Sequence, residues 1–462
     1  MCETPIGINL FDIIPDNVWS ILHRLNYEYD HHAFIVGGCV RDAMLGRQPH
    51  DWDICTSATP DEVLEIFSDC RAIETGLKHG TVTIIVRGEQ YEITTFRMDG
   101  NYTDGRHPDQ VKFITNIEGD LARRDFTVNA MAFNDASGLI DPYGGRFDLQ
   151  RGIIRCVGKP DARFGEDGLR ILRALRFASV YAFDIEEETS ASIHRNAALL
   201  GRISAERICT ELNKLLCGQN VLSMLMNYSD IIAQIIPQMS SCIGFNQNNP
   251  YHQYTVYEHI ARSVAAYHGN DTIVKLALLL HDIGKPQCYF ENETGGHFYG
   301  HPAVSAAIAE GVLTDLKVSN YTKECVCQLV EHHDELLLPT AKCARKWLSK
   351  YGTDQVYRLI EVRKADIAGQ RQDAFASRID EVERFEKAVQ EVITSWNCFK
   401  IRDLNINGRD LMAIGVPEGK HVGETLKNLF DAVMNDQLRN ERNELLIAAK
   451  RYIEERRNYA WS

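Results

Sequence analysis

"FIVGGCVRDAMLGRQPHDWDICTSATPDE", residues 34–62, joins an apolar run, a glycine pair, a basic segment and two aspartates one residue apart. Its punctuation reads as strand, turn, helix, strand, helix. "AFIV" (33–36) and "DWDIC" (51–55) are strand-like, a helix opens at Gly37 and Gly38, and Thr59, Pro60 and Glu62 form a capping-box helix start closing the second strand. Residues i and i+2 of a strand project from one face, so Asp51 and Asp53 would lie roughly 6 to 7 Å apart on the same side. Two carboxylates so placed can share divalent cations, which neutralise a triphosphate and activate a hydroxyl for in-line attack. For a bare D-x-D the competing reading is a solvated strand edge. The glycines shift that balance, because Gly37 and Gly38 let backbone N–H groups approach phosphate while Arg41, one turn into the helix, supplies counter-charge. Glu92, in "YEITTFR", is a candidate third carboxylate.

Outward from this stretch, the chain up to about residue 155 mixes strands and helices. "TVTIIVRG" and "QYEITTFR" alternate and are joined at Gly88, which predicts a hairpin. From "FGEDGLRILRALRFASVY" onward the period is helical. The predicted organisation is an α+β head over 1–155, a helical neck over 156–245, a histidine-rich helical domain over 246–370 and a helical tail over 371–462. The 462 residues carry a net charge of -14, which excludes a broad basic coat for nucleic acid and leaves room only for a local track. No run is long and apolar enough to span a membrane, and thirteen scattered cysteines without a CxxC pair read as reduced thiols of a cytoplasmic protein.

Five segments in order carry a resemblance: "VGGCVRD…DWDICT", "TTFRMDGNYTDGRHPDQVKF", "DLARRDFTVNAMAF", "DPYGGRFDLQRGIIRCVG" and "RFGEDGLRILRALRF". Together they resemble the bacterial (class II) CCA-adding enzymes, tRNA nucleotidyltransferases of the DNA polymerase beta superfamily, over essentially the whole chain. The resemblance implies addition of C, C and A to tRNA 3′ ends from CTP and ATP, with magnesium held by Asp51 and Asp53 and pyrophosphate released. It also implies that Gly38, Arg41, Arg173, Arg176 and the pair Arg123 and Arg124 contact the triphosphate. Adjacent residues point apart, so one of that pair faces the nucleotide. Asp125 and Asn129 of "LARRDFTVNA" would hold ribose and phosphates, and a loop around Arg106 would accompany the change from C to A addition.

"GEDGLRILRALRF" reads as one helix on which Glu166, Asp167 and Arg170 meet on a single surface. Cytosine and adenine both present an exocyclic amine beside a ring-nitrogen acceptor; a carboxylate can accept from the first and a guanidinium can donate to the second. Uracil and guanine would leave both partners unpaired, which is costly in a dry pocket. By the resemblance, Asp167 and Arg170 read the base and Glu166 steadies the arginine. A salt-bridged helix face is the competing reading.

Farther on, "YHQYTVYEHI", "LLLHDIGKP", "GHFYGHP", "LVEHHDE" and "RKADIAG" place imidazoles and carboxylates on several helices, a donor set suited to a divalent transition metal. The H…HD…D pattern resembles the HD phosphohydrolases. This likeness implies His259, His281, Asp282 and Asp366 as metal ligands, with His301 and His332 at a second site or on phosphate; a retained helical scaffold is the alternative. In the tail, Lys420, Lys427, Arg439 and Arg442 are candidates for tRNA phosphates. Rival readings are a poly(A) polymerase of the same superfamily, an HD phosphohydrolase with a vestigial head, and a non-enzymatic RNA-binding scaffold.

Overall fold

The computed structural model describes residues 10–74, 76–100, 111–248, 253–293, 295–370, 375–395, 400–435 and 437–459. The chain divides into two compact units, Met1–Ser240 with Val312–Val318, and Ser241–Gly311 with Ser319–Ser462.

The first unit opens on β1 (Ala33–Val36), β2 (Ile54–Thr56), β3 (Arg71–Ile73), β4 (Thr81–Val86), β5 (Glu89–Thr95), β6 (Arg97–Asp99), β7 (Val111–Phe113), β8 (Ala132–Asn134) and β9 (Gly138–Ile140). Seven of these form a mixed sheet in the order β3-β4-β5-β2-β1-β8-β9, while β6 and β7 pair with each other. β2 and β5 run parallel, with Ile54 opposite Ile93. Ile35, Ile54, Ile84 and Ile93 are fully buried along the sheet, so apolar alternation sets which face carries the polar side chains. The predicted hairpin is present: Val86 faces Glu89 across β4 and β5. Its two linking residues, Arg87 and Gly88, have φ of 51° and 88°, the combination that matches the twist of the flanking strands.

One boundary differs from expectation. β2 begins only at Ile54, so Asp51 and Asp53 lie on the extended lead-in to the strand and not within it. The cause is the early end of the neighbour. The Asp53 carbonyl accepts from the Val36 N–H at 3.0 Å, and the chain then turns away at Gly37, where φ is 78°. No backbone remains to pair with Asp51.

Helices of this unit are α1 (Asp16–His23), α2 (Gly38–Met44), α3 (Pro60–Ile66), α4 (Ile117–Ala122), α5 (Gly145–Arg151), α6 (Pro160–Glu166), α7 (Leu169–Tyr181), α8 (Glu187–Arg195), α9 (Ala205–Leu216), α10 (Val221–Asn227) and α11 (Ser229–Ile235). The capping box at α3 is formed, Thr59 accepting from the Glu62 N–H while Glu62 accepts from the Thr59 N–H at 2.7 Å. The single helix expected over "GEDGLRILRALRF" is instead broken into α6 and α7. Asp167 is extended at φ -144°, and its carboxylate accepts from the Leu169 N–H at 3.0 Å, so an acidic cap outcompetes continuation of the first helix. Gly168 follows because a Cβ there would sit 3.0 Å from Leu199. α7 packs on α9, both burying leucines between them.

In the second unit α12 (Val256–Ala266), α13 (Thr272–Leu280), α15 (Asn320–His332) and α17 (Thr353–Ala368) pack as a helical core, and α14 (His301–Asp315), which belongs to this unit up to Gly311, sets His301 at its start against His333. α16 (Ala341–Tyr351) and α18 (Phe375–Ser395) pack beside them. α19 (Gly408–Ala413), α20 (Lys420–Met434) and α21 (Arg442–Tyr459) close on a separate apolar cluster of Leu411, Leu429, Val433 and Leu445. Among the described residues, no helix is long and apolar enough to cross a membrane.

Candidate active site

Asp51 and Asp53 alternate with Trp52, which is buried, so both carboxylates leave the same side of the lead-in strand. Extending the β2–β5 register by one residue brings Glu92 beside Asp53. Electrostatics agrees with that placement. Asp53 is exposed by area yet crowded by protein atoms; this desolvation raises its pKa, Asp51 adds to the rise, and Arg124 opposes it. Desolvation also raises Glu92, followed by repulsion from Asp53 and Asp51. Three carboxylates brought together in this way form an all-oxygen set suited to a hard divalent cation.

Gly37 contributes differently from its neighbour in the pair. The Gly37 N–H is already donated to the Met131 carbonyl at 3.0 Å. What the missing side chain provides is room, since a Cβ on Gly37 would come within 2.6 Å of the Arg124 guanidinium. Arg123 and Arg124 both clamp the fully buried Asp120, at 2.7 and 3.1 Å. Burial would push that carboxyl up, but the two guanidiniums outweigh it and hold it below the usual range. Of the adjacent pair, Arg124 is the one that rests on Gly37 and acts on Asp53.

A second network joins α2 to α7. Arg41 is buried, donates to Asp42 at 3.0 Å through two nitrogens, and donates to Asn129. Asn129 donates to Asp125 at 3.0 Å, and Arg173 of α7 donates to the other Asp125 oxygen at 2.8 Å. Burial alone would raise the Asp125 carboxyl, yet Arg173, Asn129 and Arg170 together hold it well below the usual carboxylate range. Arg176 pairs with Glu211 of α9 at 3.1 Å and lies 4.0 Å from the centre of the Phe177 ring.

Glu166 pairs with Arg170, as the spacing predicted. Arg170 also donates to the carbonyls of Arg163 and Arg123, each at 3.1 Å, which ties the helix break to the arginine pair. The Arg170 backbone N–H bonds the Asp167 carbonyl at 3.0 Å, but the Arg170 guanidinium does not pair with the Asp167 carboxylate. That carboxylate is held by Arg207 of α9 at 2.6 Å. Sequence reasoning missed Arg207; the available signal was Arg207 and Glu211 four apart on α9, a spacing that reads as an ordinary surface pair but here serves Asp167 and Arg176.

In the second unit His259, His281, Asp282 and Asp366 are buried together, with His259 Nε2 at 3.2 Å from Asp282 and 3.0 Å from Asp366. Asp282 reaches a second group through its other oxygen, 3.1 Å from His301 and 3.6 Å from His333. Here the expectation of His332 fails. His332 lies against Glu335, Trp347 and Tyr351, while its neighbour His333 faces the cluster, because adjacent helical residues point about 100° apart. Lys285 stands 2.7 Å from Asp282, yet no well-aligned hydrogen bond reaches either Asp282 oxygen. A buried carboxylate left so, amid four imidazoles, is a fitting metal bridge.

In the tail, Arg442 is paired with Asp410 at 2.6 Å, Arg439 lies 4.0 Å from Glu441, Lys420 lies 3.8 Å from Glu424, and Lys427 is exposed. Arg106 lies outside the described residues.

Comparison with known proteins bears on this arrangement. Residues 33–155 match the "Poly A polymerase head domain", 182–243 the "Probable RNA and SrmB- binding site of polymerase A", and 302–449 a tRNA nucleotidyltransferase domain 2. The CCA-adding enzyme of Limosilactobacillus fermentum is 34% identical over 429 residues, covering 93% of this chain and 95% of that protein. The chain belongs to the CCA-adding enzymes. A second CCA-adding enzyme, from Geobacillus thermodenitrificans, is 48% identical over 199 residues, a match spanning 43% of this chain and about half of that relative, 48%. The solved CCA-adding enzyme of Bacillus stearothermophilus in complex with CTP superposes with a TM-score of 0.71 at 28% identity, over 96% of this chain and 100% of that one. That of Thermotoga maritima complexed with tRNA, at 22% identity and a TM-score of 0.59 over 96% and 97% of the two chains, shares the fold.

Proposed function

We propose that Asp51, Asp53 and Glu92 form the catalytic centre of this CCA-adding enzyme. The activity is template-independent addition of C, C and A to the 3′ end of tRNA from CTP and ATP, dependent on a divalent cation and releasing pyrophosphate. The observation that carries the reading is the convergence of Asp51, Asp53 and Glu92 at the start of paired strands β2 and β5, in a chain of this family, with Arg124 acting on Asp53. Asp51 and Asp53 would hold magnesium. Bound there, it would neutralise the triphosphate and polarise the terminal 3′ hydroxyl of the tRNA. Gly37 and Gly38, Arg41, Arg123 and Arg124 surround the phosphates, with Asp125 and Asn129 on the sugar side and Arg173 and Arg176 completing the positive wall. Asp167 accepts from the exocyclic amine of cytosine or adenine and Arg170 donates to the ring nitrogen, steadied by Glu166. Arg207 positions Asp167. The head (1–155) and neck (156–245) thus read and join the nucleotide, and the body (246–370) and tail (371–462) grip tRNA through residues such as Lys427. We place the protein in the cytoplasm, where its cysteines would stay reduced; those described are all free thiols.

The test is incubation of radiolabelled tRNA, trimmed of its last three nucleotides, with CTP and ATP separately and together. Two C residues from CTP alone, then a single A when ATP is added, is the expected result. Runs of A would instead indicate a poly(A) polymerase.

A second activity rests on the buried imidazole cluster. His259, His281, Asp282 and Asp366 fit a divalent transition metal, and His301 and His333 would complete a second position through Asp282. Such a centre would supply a metal-activated water for phosphate ester hydrolysis. Metal analysis of the purified full chain, together with hydrolysis of a chromogenic phosphodiester, tests this. A metal-free, inactive cluster would leave it a scaffold.

A further inference from the structure

Arg47 lies on the loop between α2 and Asp51, and it differs from every other arginine assigned to the site. Arg41, Arg123, Arg124, Arg170, Arg173 and Arg176 are each paired with a carboxylate. Among the described residues, none closes an ion pair with Arg47, in a chain with 64 acidic against 50 basic residues.

The side chain is nevertheless held at both ends. Gly46, at φ 70°, ends α2 in a left-handed turn; its N–H bonds the Ala43 carbonyl at 3.0 Å, and the Arg47 N–H bonds the Asp42 carbonyl at 2.9 Å. That paired pattern fixes the Arg47 backbone to the helix end. At the far end, the guanidinium carbon stands 4.6 Å from the centre of the Tyr181 ring. Tyr181 is itself immobilised, donating from its hydroxyl to Asp42 at 2.7 Å and stacking on Phe177 at 6.1 Å. An exposed arginine thus rests on an aromatic plate with its N–H donors uncommitted to any acid.

Its exposure, more than its position, selects the ligand. Arg47 is four residues before Asp51, so the two backbones are within roughly 14 Å. The glycines and Arg124 lie at the other end of α2, about 10 Å away along a seven-residue helix. Asp53, whose carbonyl accepts from the Val36 N–H, lies at that same end, and Arg41 reaches the Tyr181 ring too, at 4.7 Å, but is buried. What distinguishes Arg47 is its exposure, which leaves its donors where a long polyanion can reach them.

We propose that Arg47, presented by Tyr181, binds a backbone phosphate of the tRNA acceptor strand and so seats the 3′ end before the carboxylates. This rests on the CCA-adding activity above. Arg47→Ala and Arg47→Lys in the full chain test it, with KM for trimmed tRNA and for CTP measured across a series of KCl concentrations. Arg47→Ala is expected to raise the tRNA KM about tenfold and to flatten its logarithmic salt dependence by about 0.7 to 0.9, the loss of one phosphate contact. The KM for CTP and the kcat should stay within about twofold, and Arg47→Lys should keep the salt slope. Thermal unfolding should be unchanged in both variants, because the side chain is exposed and closes no ion pair. An Arg47→Ala enzyme that loses CTP affinity instead, or that keeps the wild-type tRNA KM and salt slope, overturns the proposal. A wild-type chain that adds no nucleotide at all would overturn the activity itself.

Discussion

The molecule holds two clusters of acidic ligands, built on opposite plans. In the head, Asp51 and Asp53 stand exposed on a strand lead-in, beside exposed Glu92, with oxygen as the sole donor. In the body, His259, His281, Asp282 and Asp366 are buried, and imidazole nitrogens stand beside the carboxylate oxygens. The difference follows from what each must admit. A site that takes both a nucleotide and the end of a large RNA has to be open, and an open carboxylate set binds a hard, exchangeable cation weakly. A closed imidazole set can retain a softer metal while admitting only something small. In the first, desolvation and then repulsion between neighbouring carboxylates raise Asp53 and Glu92; attraction shows in the second as Asp282 and Asp366 held well below the usual range, where burial is outweighed by the surrounding imidazoles and, at Asp282, by Lys285.

Substitutions can break this contrast. The largest effect is expected for Asp53→Asn, which should lower the rate of CMP incorporation on the order of 10³-fold, as for loss of a key electrostatic group. The phosphate ester hydrolysis proposed for the body should be untouched; a parallel fall in both would show that the two clusters are not independent. Next is Asp282→Ala, which leaves buried imidazoles and Lys285 without their carboxylate. A loss of about 3 kcal/mol in the stability of the second unit is expected, with bound metal lost and CCA addition preserved to within about twofold, read by denaturant unfolding and metal analysis.

Arg207→Ala sharpens the picture within the neck. With Asp167 no longer oriented, KM for both CTP and ATP should rise about tenfold, equivalent to about 1.4 kcal/mol, and UTP should be taken up more readily. An unchanged preference against UTP would remove Arg207 from base selection. The smallest effect concerns acid tolerance. Asp120 and Asp125 have folded pKa values below their unfolded ones, so their stabilisation is present above about pH 4 and is lost as pH falls through the folded values. Unfolding curves of Asp125→Asn should therefore depend less on pH below 4 than those of the wild type.

Much of the first unit was legible because its signals are local. The hairpin at Arg87 and Gly88 and the capping box at Thr59 depend on neighbours within a few residues, and periodicity places both. The body cluster was legible for a different reason: His259, the adjacent His281 and Asp282, and Asp366 form a recognisable series. Three features were not. Asp167 ends a helix that its leucine pattern would have continued, since a cap bond and the close approach of Leu199 to Gly168 act across the chain. His333 and not His332 faces the buried cluster, because a one-residue step turns a helix by about 100° and only packing sets the phase. Arg207 is forty residues from the Asp167 it holds.

Sequence alone determined that carboxylates 51 and 53 share a face, that glycine occupies the turn at 37 and 38, and that Glu166 can reach Arg170, since each follows from backbone geometry over a few residues. Tertiary structure decided which arginine touches Gly37, which histidine enters the buried cluster, and, among the described residues, that Arg47 beside the site has no acid as partner. Those outcomes depend on where distant segments meet, and a side chain's partner is chosen by the packing that brings it within a few ångströms.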